Sequence, residues 1–166
     1  MRAVRSVAVV FSFALLSLPS WADQALTPNQ QKLTGISAYE VFVEELKPDA
    51  LKCGVTQQQL KSQTELALRK NGIPVTSIGL DTLYVRLSIL FDARLRSCFY
   101  FLEVWVQEFL KRDQQRILAT IWQKGILEAG PSEDVPRSIG MSLAELLDLL
   151  CNDHLAANPP RKPSSK

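Results

Sequence analysis

Histidine and cysteine are scarce in this chain of 166 residues, and the familiar catalytic motifs are missing. The sequence has one histidine and three cysteines. These are too few for the two ligand pairs of a typical structural zinc site. It also has no nucleophile elbow around a serine and no glycine-rich phosphate loop. We therefore predict that the protein is not an enzyme and that it holds no metal or cofactor.

An excess of positive charge is lacking too. The chain has 19 basic and 17 acidic residues, but Arg2 and Arg5 lie in a hydrophobic leader that has no acidic residue. Without that leader, 17 basic residues face 17 acidic ones and the formal net charge is zero. A nucleic-acid-binding protein needs a basic face, so we predict no nucleic-acid partner.

Long hydrophobic runs are absent except near the start, at residues 7–18. Basic residues precede this run, Pro19 follows it, and small residues occupy positions 20 and 22, as in a secretory signal peptide. We predict that residues 1–22 are removed by cleavage after Ala22 and that the protein is periplasmic or secreted. A retained membrane anchor is the weaker alternative because the run is short for a membrane span. The mature chain should contain no span.

Polar and proline-rich segments lie at both ends of the mature chain. Residues 23–33 show no periodicity and are predicted to be a flexible lead-in. Residues 159–166 combine prolines, serines and basic residues, which predicts a disordered basic tail. No internal repeat separates them, so residues 34–158 are predicted to form a single domain.

Periodicity within the domain predicts five strands and two helices. Thr56 followed by Gln59 forms a capping box that begins the first helix, and Asn71-Gly72 ends it. The second helix begins near residues 132–134 and ends at residue 158, while Pro48 and Cys53-Gly54 indicate a loop. The predicted strands cover residues 35–46, 73–77, 83–91, 98–110 and 117–124.

These elements predict an α+β fold, with an antiparallel-rich sheet of four to five strands and two helices packed on one face. The last three strands are joined by loops too short for crossovers, so they should pair as an antiparallel meander. The first strand should lie beside the central pair, and the first helix should return the chain to the far edge. The rest of the strand order stays open.

Alternation along the strands assigns side chains to two unlike faces of this sheet. The helices should cover Tyr39, Val41, Val43, Leu87, Ile89, Leu102, Val104 and Val106. The opposite side should hold Phe42, Tyr84, Leu90, Phe99, Phe101, Trp105 and Phe109, interleaved with Glu40, Glu44, Arg86, Glu103 and Gln107. Aromatic anchors among polar groups are typical of an interaction surface. Two alternatives are that the lead-in or the tail lies over this side, or that a β-bulge inverts part of the alternation.

Three cysteines, Cys53, Cys98 and Cys151, allow at most one internal disulfide. We expect Cys53 and the end of the last helix at one end of the sheet and Cys98 at the other, so Cys53–Cys151 is the predicted pair. The interpretation favoured over any disulfide is three buried thiols that behave as small hydrophobic residues. A zinc ion on Cys53, Cys151 and His154 would lack a clear fourth ligand, and His154 is more simply a partner of the helix dipole.

Short segments along the mature chain resemble a family of small exported bacterial proteins with no assigned activity. The segments are Gly35-Ile36, Val43-Glu44-Glu45-Leu46, Gly54-Val55-Thr56, Leu68-Arg69-Lys70-Asn71-Gly72-Ile73, Leu83-Tyr84-Val85, Ala119-Thr120-Ile121-Trp122 and Asn158-Pro159. The layout is also similar to small α/β domains of periplasmic envelope proteins, such as the amino-terminal domain of the translocation protein TolB. That similarity implies an adaptor-like role and supplies no catalytic residues.

The sequence therefore predicts a non-enzymatic envelope protein that binds a protein partner, or a second copy of itself as a homodimer. The predicted interaction face consists of Phe42, Tyr84, Phe99, Phe101, Trp105 and Phe109. The alternative is a periplasmic carrier of a small molecule or lipid, with the same rings lining a groove closed by the N-terminal segment. A hydrolase of unfamiliar design would need a deep pocket with converging polar groups, which the sequence gives no reason to expect.

Overall fold

The computed structural model of the chain describes residues 25–79, 81–112 and 115–159, without the side chains of Lys111, Arg112 and Arg116. The predicted signal peptide and nearly all of the predicted tail lie outside the described residues. The elements, in chain order, are α1 (Pro28–Lys32), β1 (Tyr39–Val43), α2 (Pro48–Lys52), α3 (Gln57–Lys70), β2 (Val75–Thr76), β3 (Asp81–Asp92), β4 (Ser97–Arg112), β5 (Gln115–Pro131) and α4 (Val135–Ala157).

The five strands form one sheet in the order β2-β1-β3-β4-β5. The last three strands pair antiparallel as an up-and-down meander. β1 pairs in parallel with both of its neighbours, β2 and β3. The predicted α+β class and the place of β1 beside the central strands are confirmed, and β2 is an edge strand as expected. The sheet is mixed, however, because every pairing of β1 is parallel.

The predicted division of the sheet into two faces is confirmed. All eight residues assigned to the covered side are buried. α3 starts at the predicted Thr56 capping box and packs against β1, while α4 packs over β4 and β5. The apolar stripe of α4 is buried against this face and consists of Ile139, Leu143, Leu146, Leu147 and Leu150.

The predicted flexible lead-in is in part ordered, which corrects the domain boundary. Residues 28–32 form α1, whose first turn has a capping box between Thr27 and Gln30. Leu33 is fully buried, and Asn158 joins it to the end of α4 by donating from Nδ2 to the Leu33 carbonyl over 2.8 Å. Gln30 also donates to Asp153 of α4 over 3.1 Å. The segment lies on the helix-covered side of the sheet.

The predicted Cys53–Cys151 disulfide and the interpretation as three free thiols are both wrong, because Cys53 is bonded to Cys98 with their Cα atoms 6.3 Å apart. The parallel pairing of β1 with β3 explains the error, since it places the loop after β1 at the end of the sheet where β3 turns into β4. There the Phe91 N–H donates to Asp49 Oδ2 over 3.2 Å, and Phe91 pairs with Cys98. Cys151 is a buried free thiol near the opposite end of the sheet. Because Cys53 is bonded to Cys98, it is not available as a ligand for the zinc ion considered above.

Several elements differ from prediction in extent, and β1 covers only Tyr39–Val43 of the predicted residues 35–46. The predicted loop around Pro48 contains the short helix α2, with the proline in its first turn. β5 continues to Pro131 instead of stopping at Lys124, and a β-bulge interrupts its register with β4 between Val106 and Gln107. The unpaired residue of the bulge is Ile121 on β5, so the alternation along β4 is not inverted. None of the described helices is both long and apolar enough to cross a membrane.

Candidate functional site: the aromatic face

The six predicted interaction residues lie together on the side of the sheet away from the helices, here called the aromatic face. Their strands are adjacent, since β1, β3 and β4 are neighbours in the sheet. The exposed members are Phe42, Phe99, Phe101 and Phe109, and the half-buried ones are Tyr84 and Trp105. Because α1 packs against α4 on the other side, residues 25–33 do not cover these rings. This removes the lid that the carrier hypothesis placed in the N-terminal segment.

Three of the rings form a continuous stack across three strands. Phe42 pairs in register with Tyr84, and Tyr84 pairs with Trp105. The ring centroids of Phe42 and Tyr84 are 4.4 Å apart, and those of Tyr84 and Trp105 are 4.8 Å apart and nearly parallel. Cross-strand ring pairs of this kind stabilise a sheet and hold each other in place. The centre of the aromatic face is therefore a rigid platform.

A buried carboxylate lies beside this platform. Glu103 is only 5% exposed although it lies on the open side of the sheet. Its Oε2 accepts a hydrogen bond from Arg86 Nε over 2.8 Å, and its Oε1 accepts one from Gln123 Nε2 over 3.0 Å. Since both carboxylate oxygens are engaged by fixed donors, Glu103 serves the structure of the face and is poorly placed to act as a general base.

Arg86 connects the polar network to the ring stack. Its guanidinium carbon lies 5.2 Å from the centroid of the Trp105 ring, within the range of a cation–π contact. Its Nε is 4.0 Å from Glu44 Oε2, at the edge of ion-pair distance, and about two-fifths of its side chain is exposed. The Arg86 guanidinium is thus a positive charge of fixed position that is partly exposed beside the aromatic platform.

The face extends onto β5 through residues that the sequence analysis did not assign. Leu127 pairs with Phe101, and Leu118 pairs with Phe109, so both leucines point to the open side. The Phe101 ring lies directly over Gly125, where an added Cβ would come within 3.0 Å of two ring carbons. The predicted end of β5 at Lys124 hid Leu127. Its signal was the apolar pair Ile126-Leu127 after Gly125.

The network around Glu103 was also missed by the sequence analysis. Alternation placed Arg86 and Glu103 on the same side, but it did not show that they are partners. The tight connection between Asp92 and Ser97 sets the register of the hairpin, and that register brings Arg86 opposite Glu103. Counting back from this turn would have predicted the pair.

His154 lies elsewhere, in the core near the end of α4. The Tyr39 hydroxyl and His154 Nδ1 share a hydrogen bond of 3.0 Å, and both side chains are buried. Burial raises the pKa of Tyr39, with the Asp81 carboxylate adding to the effect, and burial lowers the pKa of His154. His154 lies in the last turn of α4, as predicted, and its interaction with the helix dipole stays a prediction. Within the described ranges, no group of His, Cys, Asp or Glu side chains could hold a metal ion.

Comparisons with known proteins leave the function open. No family model matches the sequence, and no curated protein matches it. A minor lipoprotein from Acinetobacter baumannii is 14% identical, with a TM-score of 0.39 and with 76% of this chain and 97% of that chain covered. A candidate lipoprotein from Caulobacter crescentus CB15 is 15% identical, with a TM-score of 0.39 and coverage of 83% and 100%. Likenesses this weak support no conclusion about function, and the similarity to TolB stays a prediction.

Proposed function

We propose that the protein is a non-enzymatic interaction module of the bacterial envelope and that its aromatic face binds another protein. The observation that carries the proposal is the exposure of Phe42, at one end of a fixed stack of rings, and of Phe99, Phe101 and Phe109 on the same face. Exposed apolar patches of this extent are uncommon on monomers and often mark binding sites. The location rests on the signal-peptide pattern of residues 1–22.

The arrangement of the face fits recognition of a protein better than chemistry. Rigid aromatic side chains and an arginine are the residue types that dominate protein interfaces, because they bury large areas at low entropic cost. Arg86 supplies a charged group of fixed position, which can select a partner carboxylate or carbonyl. Self-association through the same face is the alternative that an experiment must separate from binding of a different protein.

The proposal is tested by replacing Phe99 and Phe101 with serine in one variant. Affinity purification from the envelope of the source bacterium, followed by quantitative mass spectrometry, should then lose a specific co-purifying protein. We expect at least about a tenfold loss, because two central aromatic anchors each contribute on the order of 1–2 kcal/mol to an interface. Recovery of the same proteins in equal amounts would contradict the proposal.

A matched control comes from the opposite side of the molecule. Leu66 on α3 is 51% exposed, more than either phenylalanine, and it lies among the helices. Leu66→Ser should leave the co-purifying protein unchanged. Circular dichroism and thermal unfolding of all variants establish that the fold is intact. If only copies of this chain are lost, and the loss persists when Phe99 alone is replaced, self-association is the function of the face.

A further inference from the structure

A second surface, the outer edge of β5, borders the aromatic face and shares Leu127 and Phe101 with it. β5 runs from Gln115 to Pro131 and is the last strand of the sheet, so one of its edges has no partner strand among the described residues. Long edge strands present a row of backbone donors and acceptors to which another strand can pair. Natural proteins usually prevent such pairing with charges, prolines or bulges. In β5, the bulge at Ile121 and the proline at position 131 lie at the two ends of one segment.

The bulge and the proline limit the regular part of the edge to residues 122–130. Ile121 is the unpaired residue of the bulge, and Pro131 has no N–H to donate. The central residue of the segment between them is Ile126. Two such segments that pair antiparallel about Ile126 would match along their whole length, with Trp122 opposite Gly130 and Lys124 opposite Glu128.

The charges of this segment complement one another in that register. Lys124 and Glu128 share the face of the strand on which Ile126 lies, and both side chains are exposed. Lys124 forms no ion pair with any described side chain of its own chain. Each Lys124 would face Glu128 of the second copy, and the two-fold symmetry makes this contact twice.

The carboxylate of Glu128 is already held in place. Its Oε2 accepts hydrogen bonds from the Tyr100 hydroxyl and, over 3.1 Å, from the Ser142 hydroxyl. These bonds leave Oε1 free, directed at no described partner. A positioned carboxylate loses less side-chain entropy when a lysine binds it.

The other face of the segment supplies apolar complementarity. Leu127 is 76% exposed and, in this register, lies opposite Gly125 of the second copy. Because Gly125 has no side chain, the Phe101 ring that lies over it would be open to contact by the leucine. Pairing would thus cover an exposed leucine with an aromatic ring on both sides of the two-fold axis.

We propose that the partner of the β5 edge is a second copy of this chain, paired antiparallel over residues 122–130 about Ile126. The resulting dimer has a continuous ten-stranded sheet (two sheets of five) with the two aromatic faces on the same side. The proposal does not depend on what the aromatic face binds.

Charge reversal tests the pairing. Lys124→Glu makes one chain acidic at both positions, and Glu128→Lys makes another basic at both. Sedimentation equilibrium should show that each variant alone dimerises at least about tenfold more weakly than wild type, because both cross-strand pairs become repulsive. An equimolar mixture of the two variants should form a heterodimer with near wild-type affinity, since every pair is again opposite in sign.

Matched leucines on β5 give the control. Leu127→Lys should weaken dimerisation about tenfold or more, whereas Leu118→Lys, on the far side of the bulge, should not. Phe42→Ser on β1 should also leave the dimer intact, which separates this proposal from the function of the aromatic face. The proposal is overturned if wild type stays monomeric up to about 200 μM. It is also overturned if the mixed variants do not associate.

Discussion

Arg86 and Glu103 face each other across β3 and β4 on the open side of the sheet, with Arg86 Nε 2.8 Å from Glu103 Oε2. The carboxylate is buried, while the arginine keeps about two-fifths of its surface exposed. The pair thus joins the interior of the sheet to the surface that we propose binds a partner.

Removal of Arg86 should destabilise the fold, because the buried Glu103 carboxylate would keep only the neutral donor Gln123. Arg86→Ala should lower the free energy of unfolding by about 1–2 kcal/mol. The value is at the lower end for the loss of a partner to a buried charge, because solvent screens the partly exposed Arg86. In the Glu103→Gln background the same substitution should cost less than half as much. Urea unfolding of the four proteins measures the coupling, and equal costs in both backgrounds would contradict it.

The disulfide should stabilise the domain substantially. Cys53 and Cys98 are 45 residues apart, for which loop-closure entropy corresponds to about 4 kcal/mol. The double substitution of both cysteines by alanine should therefore lower the free energy of unfolding by several kcal/mol. Cys151→Ala, which removes a buried free thiol, should cost about 1 kcal/mol. A peptide map without reduction that joined Cys53 to Cys151 would contradict the observed pairing.

Local patterns were enough to predict the two faces of the sheet. Alternation with a period of two depends only on neighbouring residues, so Val104 and Trp105 could be assigned to opposite sides without knowing the strand order. The capping box at Thr56 is local in the same way. These features were confirmed because no distant contact competes with them.

Features that depend on distant contacts could not be predicted in this way. The direction of β1 relative to β3 is set by the connection through α3 and β2, and it decided the cysteine pairing. α1 is too short to be stable alone, and it is held by contacts such as that of Leu33 with Asn158, 125 residues away. A segment of one proline and four polar residues does not reveal such a contact.

Two glycines with the same backbone angle should respond differently to alanine. Gly54 and Gly72 both have φ of +73°, but only at Gly54 would an added Cβ meet another side chain, Pro136 at the start of α4, at 3.0 Å. Gly72→Ala should cost about 1 kcal/mol for backbone strain. Gly54→Ala should cost roughly 1 kcal/mol more, since the Pro136 ring must give way by a few tenths of an ångström. Thermal unfolding compares them, and equal losses would show that the contact with Pro136 is unimportant.

Stability should fall below neutral pH because of His154. Burial lowers the pKa of His154 in the folded state, so as the pH falls below 6.5 the unfolded chain takes up a proton before the folded chain does. The free energy of unfolding should therefore decrease with falling pH until the folded-state pKa is reached, with a slope of at most about 1.4 kcal/mol per pH unit. His154→Gln should flatten the dependence between about pH 7 and pH 5. An unchanged slope would contradict a lowered pKa of His154 in the folded state.

Site-specific photo-crosslinking in the living cell tests the binding role of the aromatic face most directly. A benzoylphenylalanine replacing Phe99 should form a discrete adduct with one protein, and the adduct should disappear when Phe101→Ser is added. The same photoreactive residue at Leu66, on the helix side, should form none. No adduct from Phe99, or an adduct that is insensitive to Phe101→Ser, would contradict the account.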